Sequence, residues 1–289
     1  RFKKDTMIKK ITIIGVGLIG GSLAKAVKNN NLAEVVFGFG RNLSRLKDAQ
    51  KSNIIDQYSI DISEALDGAS IVVIATPVGT FESILRELKP YITEGMIITD
   101  VGSTKTGIAK SAREILVEMA SCFVPAHPIA GKEKSGFKSS DEELFLNKKV
   151  IITPLEINTD KAINSLKKVW EDVGADVDFM SAESHDELLG MTSHLPHMLA
   201  FSLVNYLITQ NPSASIYAAG GFKDFSRIAS GDAVMWRDIC LNNRDQIIVH
   251  IKSYQETLSS LVDAIDSQDK DKLESFFRDA KTTRDSWVG

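Results

Sequence analysis

The sequence predicts an α/β protein: a doubly wound, mostly parallel sheet flanked by helices, followed by an all-α region. Three observations carry this prediction. Short apolar runs recur through the first half without polar alternation, which means strands covered on both faces, as a parallel sheet between helices requires. A Gly-x-Gly-x-x-Gly stretch directly follows the first run and opens a helical pattern. Beyond residue 180 the strand-like runs cease, and long helical patterns take their place.

In chain order, residues 10–14 read as a strand ending at Gly15, residues 18–30 as a helix and residues 34–39 as the next strand. Further strands are expected at 71–75, 96–99, 123–126, 150–153 and 176–180, with helical composition between them. Helices then cover 198–209 and 243–265, with interruptions at Gln210-Asn211-Pro212, Gly220-Gly221 and Gly231. The expected organisation is a dinucleotide-binding domain over 1–180 and a helical domain over 181–289.

Composition narrows the function. The chain has 289 residues, 34 Lys+Arg against 38 Asp+Glu and a formal net charge of −4, so it lacks the basic surplus of a general nucleic-acid binder. With 43% hydrophobic and 25% charged residues it is an ordinary globular chain, long enough for two cores. No stretch approaches the roughly 18 consecutive apolar residues of a membrane span. Two distant cysteines, Cys122 and Cys240, form neither a disulfide framework nor a metal-binding pair. Residues 1–7 carry charge without the apolar run of a signal peptide, so a reduced cytoplasmic setting is expected.

In the glycine motif, Gly15 permits the tight turn, Gly17 admits a pyrophosphate to the backbone, and Gly20 lets helix and strand pack closely. The helix start at Leu18 and Ile19 offers unpaired N–H groups and a partial positive charge. This is a Rossmann-type site for NAD or NADP. The second strand ends at Gly40-Arg41-Asn42, without the carboxylate that usually holds the ribose 2′-hydroxyl of NAD. A guanidinium there can pair with a 2′-phosphate, which favours NADP. The competing reading has Arg41 solvated and Asn42 on the ribose of NAD. Thr76 and Pro77, just past another strand, are expected to line the cofactor. Ser103 follows the strand at 96–99, where it is expected to cap a helix and to face the cleft.

His127 follows an apolar run and is expected at a strand's carboxyl end. His194 and His197 flank Pro196, whose missing N–H should bend the helix and turn His194 into a cleft. Arg227 lies in Gly220-Gly221-Phe222-Lys223-Asp224-Phe225-Ser226-Arg227-Ile228-Ala229, either paired with Asp224 or Asp232 or clamping a substrate carboxylate. Without His-Glu-x-x-His or a nearby cysteine pair, no metal is expected.

Together, several stretches resemble the prephenate (arogenate, cyclohexadienyl) dehydrogenases of tyrosine biosynthesis. They are Gly15-Val16-Gly17-Leu18-Ile19-Gly20-Gly21-Ser22, Thr99-Asp100-Val101-Gly102-Ser103-Thr104-Lys105, His127-Pro128-Ile129-Ala130-Gly131, Ser193-His194-Leu195-Pro196-His197, the Arg227 segment, and Met235-Trp236-Arg237-Asp238-Ile239. The resemblance implies oxidative decarboxylation of prephenate to 4-hydroxyphenylpyruvate and CO2, with hydride passing to NAD(P). It implies that His127 is the base on the ring hydroxyl, that Ser103 contacts the same hydroxyl, and that His194 helps to hold the substrate. It further implies that Arg227 binds a carboxylate, with Gly220, Lys223, Glu133 and Trp236 also at the substrate, and that the helical domain makes a homodimer. The alternatives are an arogenate or dual-specificity enzyme, another Rossmann-plus-helical reductase, and a non-catalytic NAD(P) sensor.

The residue types suit that chemistry. Hydride loss leaves positive charge developing at the carbinol carbon, so a base of near-neutral pKa on its hydroxyl lowers the barrier. Loss of CO2 from the opposite ring carbon restores aromaticity without a metal. A cation gripping the departing carboxylate favours the ground state, so an arginine there serves binding and orientation.

Overall fold

The computed structural model describes residues 7–132 and 136–287. Glu133 and the charged stretch through residue 6 lie outside the described residues. In the first half the order is β1 (Ile8–Ile14), α1 (Leu18–Asn29), β2 (Ala33–Phe39), α2 (Leu43–Lys51), β3 (Gln57–Ser59), α3 (Ile62–Leu66), β4 (Ile71–Ile74), α4 (Phe81–Leu88), β5 (Ile97–Asp100) and α5 (Thr106–Leu116). There follow β6 (Ala126–Pro128), β7 (Lys149–Ile152), α6 (Asp160–Asp172), β8 (Asp176–Phe179), α7 (Ala182–Leu189), α8 (Leu195–Gln210), α9 (Gly220–Ser226), α10 (Ala233–Asn242), α11 (Arg244–Asp266) and α12 (Lys270–Ser286).

Strands β3-β2-β1-β4-β5 form one parallel sheet in that order. Strand order reverses beside β1, which opens a crevice at the carboxyl ends of β1 and β4. Alternate residues of each strand feed opposite faces. Ile11, Ile13 and Val73 join a core with Leu23 and Val27 of α1, while Ile14, Val72 and Ile74 join a second core with Phe81 and Leu85 of α4. Burial on both faces is why these strands read as unbroken apolar runs.

The stretch expected as a strand at 123–126 departs from this pattern. It makes a single parallel bridge, Ile98 to Phe123, and then leaves the sheet. The chain regains pairing as β6, antiparallel to β7, in a three-stranded sheet β6-β7-β8. His127 therefore sits in the middle of β6, opposite Ile151, and not past a strand's end. Pro128, lacking an N–H, closes the short strand.

Between α7 and α8 the winding widens into one π-helical turn, Gly190–His194. Pro196 follows this turn directly, and its missing N–H removes one backbone donor from a winding that runs unbroken from α7 into α8. The irregularity expected from Pro196 is thus the wide turn preceding it. Residues 1–244 and 245–289 form two compact units. In the first, Tyr206, Ile216 and Tyr217 are exposed; in the second, Val249, Val262, Ile265 and Phe277 are exposed. No described helix is long and apolar enough to cross a membrane.

Candidate active site

The glycine motif has the geometry that its spacing predicts. Gly15 has φ +94°, and a Cβ there would meet the Ala75 carbonyl oxygen and Thr76 Cγ2, both at 2.9 Å. At Gly20 a Cβ would stand 2.3 Å from the Gly15 carbonyl oxygen, so a side chain would push strand and helix apart. Gly17 differs: a Cβ would meet nothing within 4 Å. Its smallness relieves no contact within the protein, as suits a position that a ligand's phosphates approach. No side chain caps α1, and its first turn, which includes Leu18 and Ile19, carries no acid. The N-terminal N–H groups and the helix dipole are thus uncancelled, and the residues fit a dinucleotide pyrophosphate.

Thr76 and Pro77 follow β4 beside the glycine turn; the Thr80 hydroxyl donates to the Pro77 carbonyl at 2.7 Å and lies 2.8 Å from Thr76 Oγ1. Arg41 and Asn42 are exposed after β2. The Asn42 side chain caps α2 by accepting from the Arg45 N–H at 3.0 Å.

Ser103 does not cap α5, contrary to expectation. Both carboxylate oxygens of Asp186, from α7, do so: Oδ1 accepts from the Lys105 N–H and Oδ2 from the Thr106 N–H, each at 2.8 Å. A full negative charge satisfies two helix-end N–H groups better than one hydroxyl can. The half-buried Ser103 hydroxyl is left uncommitted to the helix.

Around this cap lies a buried polar cluster that the sequence reading only partly found. His127 Nδ1 lies 2.8 Å from His185 Nε2, and His185 Nδ1 lies 2.8 Å from Asp186 Oδ1. Asn243 Nδ2 donates to the Asp186 carbonyl at 2.8 Å and lies 3.0 Å from His194 Nδ1. Below them Lys105 pairs with Asp100, both fully buried, and Asp100 also accepts from the N–H of Gly102 at 2.7 Å and of Ala126 at 3.2 Å. This last bond ties the end of β5 to the start of β6, and so to His127.

The environment holds these imidazoles neutral. Burial, then the charges of His185, Lys105 and His194, hold His127 well below the ordinary histidine value. Burial also pushes His194 down to about 4, against the pull of Asp186. Burial alone would raise the Asp186 carboxyl, but hydrogen bonds from His185, Thr106 and Lys105 outweigh it and leave the carboxyl below its usual value.

The helical residues continue the cluster. His197 stacks on Trp236 with ring centroids 4.0 Å apart, while His194 meets the same indole edge-on at 6.3 Å. Arg227 opens the short helical turn after α9 and is near enough to disfavour protonation of His197. Gly220 and Lys223 lie on the exposed α9, with Lys223 about one turn before Arg227. His127, His194 and Trp236 are thus joined through His185, Asp186 and Asn243. His185 and Asp186 were missed because Ser184-His185-Asp186-Glu187 reads as a polar helix surface, and Asn243 because it reads as the polar start of the helical pattern at 243–265.

Two family profiles match the chain: "Prephenate dehydrogenase, nucleotide-binding domain" over residues 23–179 and "Prephenate dehydrogenase, dimerization domain" over residues 181–279. A prephenate dehydrogenase of Bacillus subtilis is 35% identical, over 98% of this chain and 76% of the relative. A cyclohexadienyl dehydrogenase of Zymomonas mobilis is 32% identical, over 96% of each. Among solved structures, the prephenate dehydrogenase of A. aeolicus in complex with hydroxyphenyl propionate and NAD+ superposes with a TM-score of 0.92 at 36% identity, over 97% of this chain and 99% of that one. With the dinucleotide crevice, the buried histidines and these matches together, the chain belongs to the prephenate dehydrogenase family.

Proposed function

We propose that this NAD(P)-dependent dehydrogenase converts prephenate to 4-hydroxyphenylpyruvate and CO2, with His127 as the base. The observation that carries the reading is a buried imidazole, held unprotonated at neutral pH, in one cluster with the residue after the β5 strand end and with a second histidine from the helical region. Gly15, Gly17, Gly20, Leu18 and Ile19 would hold the pyrophosphate, with Thr76 and Pro77 alongside. When bound, the nicotinamide supplies the hydride acceptor.

His127 takes the ring hydroxyl proton as the carbonyl forms. Ser103 donates to or accepts from that same oxygen. The His194 ring, held by Asn243 at Nδ1 and lying beside the Ser103 backbone, makes no close hydrogen bond at Nε2 among the described residues, and there it would help to hold a substrate oxygen. Arg227 clamps a carboxylate, and its contribution falls on binding. Arg227→Ala is expected to raise KM for prephenate far more than it changes kcat; an unchanged KM in steady-state assays would assign Arg227 a structural role. Gly220, Lys223, Trp236 and Glu133 complete the proposed substrate contacts.

Arg41 beside Gly40 supports a preference for NADP. Arg41→Ala should weaken NADP binding more than NAD binding by fluorescence titration, and equal effects would remove the phosphate clamp. The matched dimerization profile and the exposed apolar residues of α8, α11 and α12 support a homodimer made by the helical domain, with 1–180 and 181–289 as the working division. Unpaired Cys122 and Cys240 support a reduced, cytoplasmic setting. The deciding experiment is a two-by-two assay of prephenate or arogenate with NAD or NADP. Turnover of neither substrate overturns the reading, and turnover of arogenate alone reassigns the substrate.

A further inference from the structure

We infer that His185 and Asp186 fix the tautomer of His127 and receive the proton that His127 gains. The inference rests on the dehydrogenase reading above and extends it to two residues that need not touch the substrate. It follows from a chain of donors and acceptors in which each link leaves one choice.

Asp186 is the fixed end. Its carboxylate already accepts two backbone N–H groups at the start of α5, so it meets His185 Nδ1 only as an acceptor. His185 Nδ1 therefore carries the hydrogen. A neutral His185 then presents a bare Nε2, and His127 Nδ1, 2.8 Å away, must donate to it. This leaves the lone pair of His127 on Nε2, the ring nitrogen not engaged by His185. One carboxylate thus sets two tautomers in series and makes Nε2 the basic nitrogen.

The same chain gives the proton a second step. As the substrate O–H bond breaks, its electron pair stays on oxygen and a new N–H bond forms at His127 Nε2. The Nδ1–H bond of His127 then breaks toward His185 Nε2. His127 returns to neutral, and the positive charge rests on His185 against the Asp186 carboxylate. The charges around the two rings favour this direction. Lys105 opposes protonation of both rings, but at His185 the hydrogen-bonded Asp186 carboxylate and Asp100 pull the other way, and no such attraction acts on His127. His185 and Asp186 are positioning residues in this scheme, and His127 remains the only base at the substrate.

The test combines nitrogen-15 NMR of the histidine side chains with turnover of prephenate. In the unsubstituted protein the signals of His127 and His185 should both show hydrogen on Nδ1 and a bare Nε2. His185→Phe keeps the ring volume and removes the acceptor; kcat should fall by about 10²-fold, with Nε2–H appearing at His127. Asp186→Asn, which can keep part of the helix cap while losing the charge, should lower kcat by about 10-fold. If His185→Phe does not fold, the tautomer in the unsubstituted protein and the Asp186→Asn turnover still decide. An Nε2–H tautomer at His127 in the unsubstituted protein overturns the inference, as does kcat within about twofold of normal in either folded variant. Absence of turnover in the unsubstituted protein overturns the dehydrogenase reading itself, and normal turnover with unaffected variants overturns the relay alone.

Discussion

Replacing His127 with asparagine is expected to lower kcat by about 10²–10⁴-fold while changing KM for prephenate only modestly. Asparagine can still hydrogen-bond to a ring hydroxyl, so ground-state binding survives. It has no lone pair basic enough to take the proton, so the developing carbinol cation loses its partner in the transition state. Burial should keep the exchange tolerable for folding, because the imidazole it replaces is itself neutral. Steady-state kinetics with matched thermal melts checks the expectation. Turnover near normal in a folded variant would remove His127 from the proton transfer.

The second large effect is on stability. Lys105 and Asp100 pair with both side chains fully out of water. Burial alone pushes the Asp100 carboxyl up and the Lys105 amine down, and each partner's charge opposes the other's shift. Removing one partner leaves the other buried and unpaired, which costs about 3–5 kcal/mol. Lys105→Met should therefore lower the unfolding free energy by that amount in urea denaturation. Combining it with Asp100→Leu should recover part of the loss, although the Gly102 and Ala126 N–H groups then lose their acceptor. A loss under 1 kcal/mol for Lys105→Met would mean that water reaches the site.

The parallel sheet was legible because both faces of β1, β2, β4 and β5 are covered, and the apolar runs record that directly. Strand β3 was not: Gln57-Tyr58-Ser59 is three residues long, lies at the sheet edge, and leaves no apolar run to find. The glycine positions were legible for the same local reason, since φ and close contact are set within a few residues. The histidine cluster was only half legible. His127 and His194 sit beside prolines that disturb the local pattern, whereas His185 and Asp186 are buried by the docking of α7 against the start of α5, and Asn243 reaches them from the turn between α10 and α11. The docking of α7 on α5 joins residues 80 and 81 positions apart. The helix cap failed for that reason too, because a sequence offers only local candidates such as Ser103 and the cap used is not local.

The wide turn at Gly190–His194 has a consequence for angular phase. In a regular helix each residue advances by about 100°, so His194, eight positions after Asp186, would point about 80° away from it. One residue absorbed by the π turn reduces the eight steps to an effective seven and the offset to about 20°. That alignment sets the His194 ring on the Asp186 side of the winding, where Asn243 Nδ2 lies 3.0 Å from the ring while donating to the Asp186 backbone carbonyl. The wide turn therefore works as a phase corrector: it brings a histidine of the helical region into line with a carboxylate that is anchored to the sheet-bearing half.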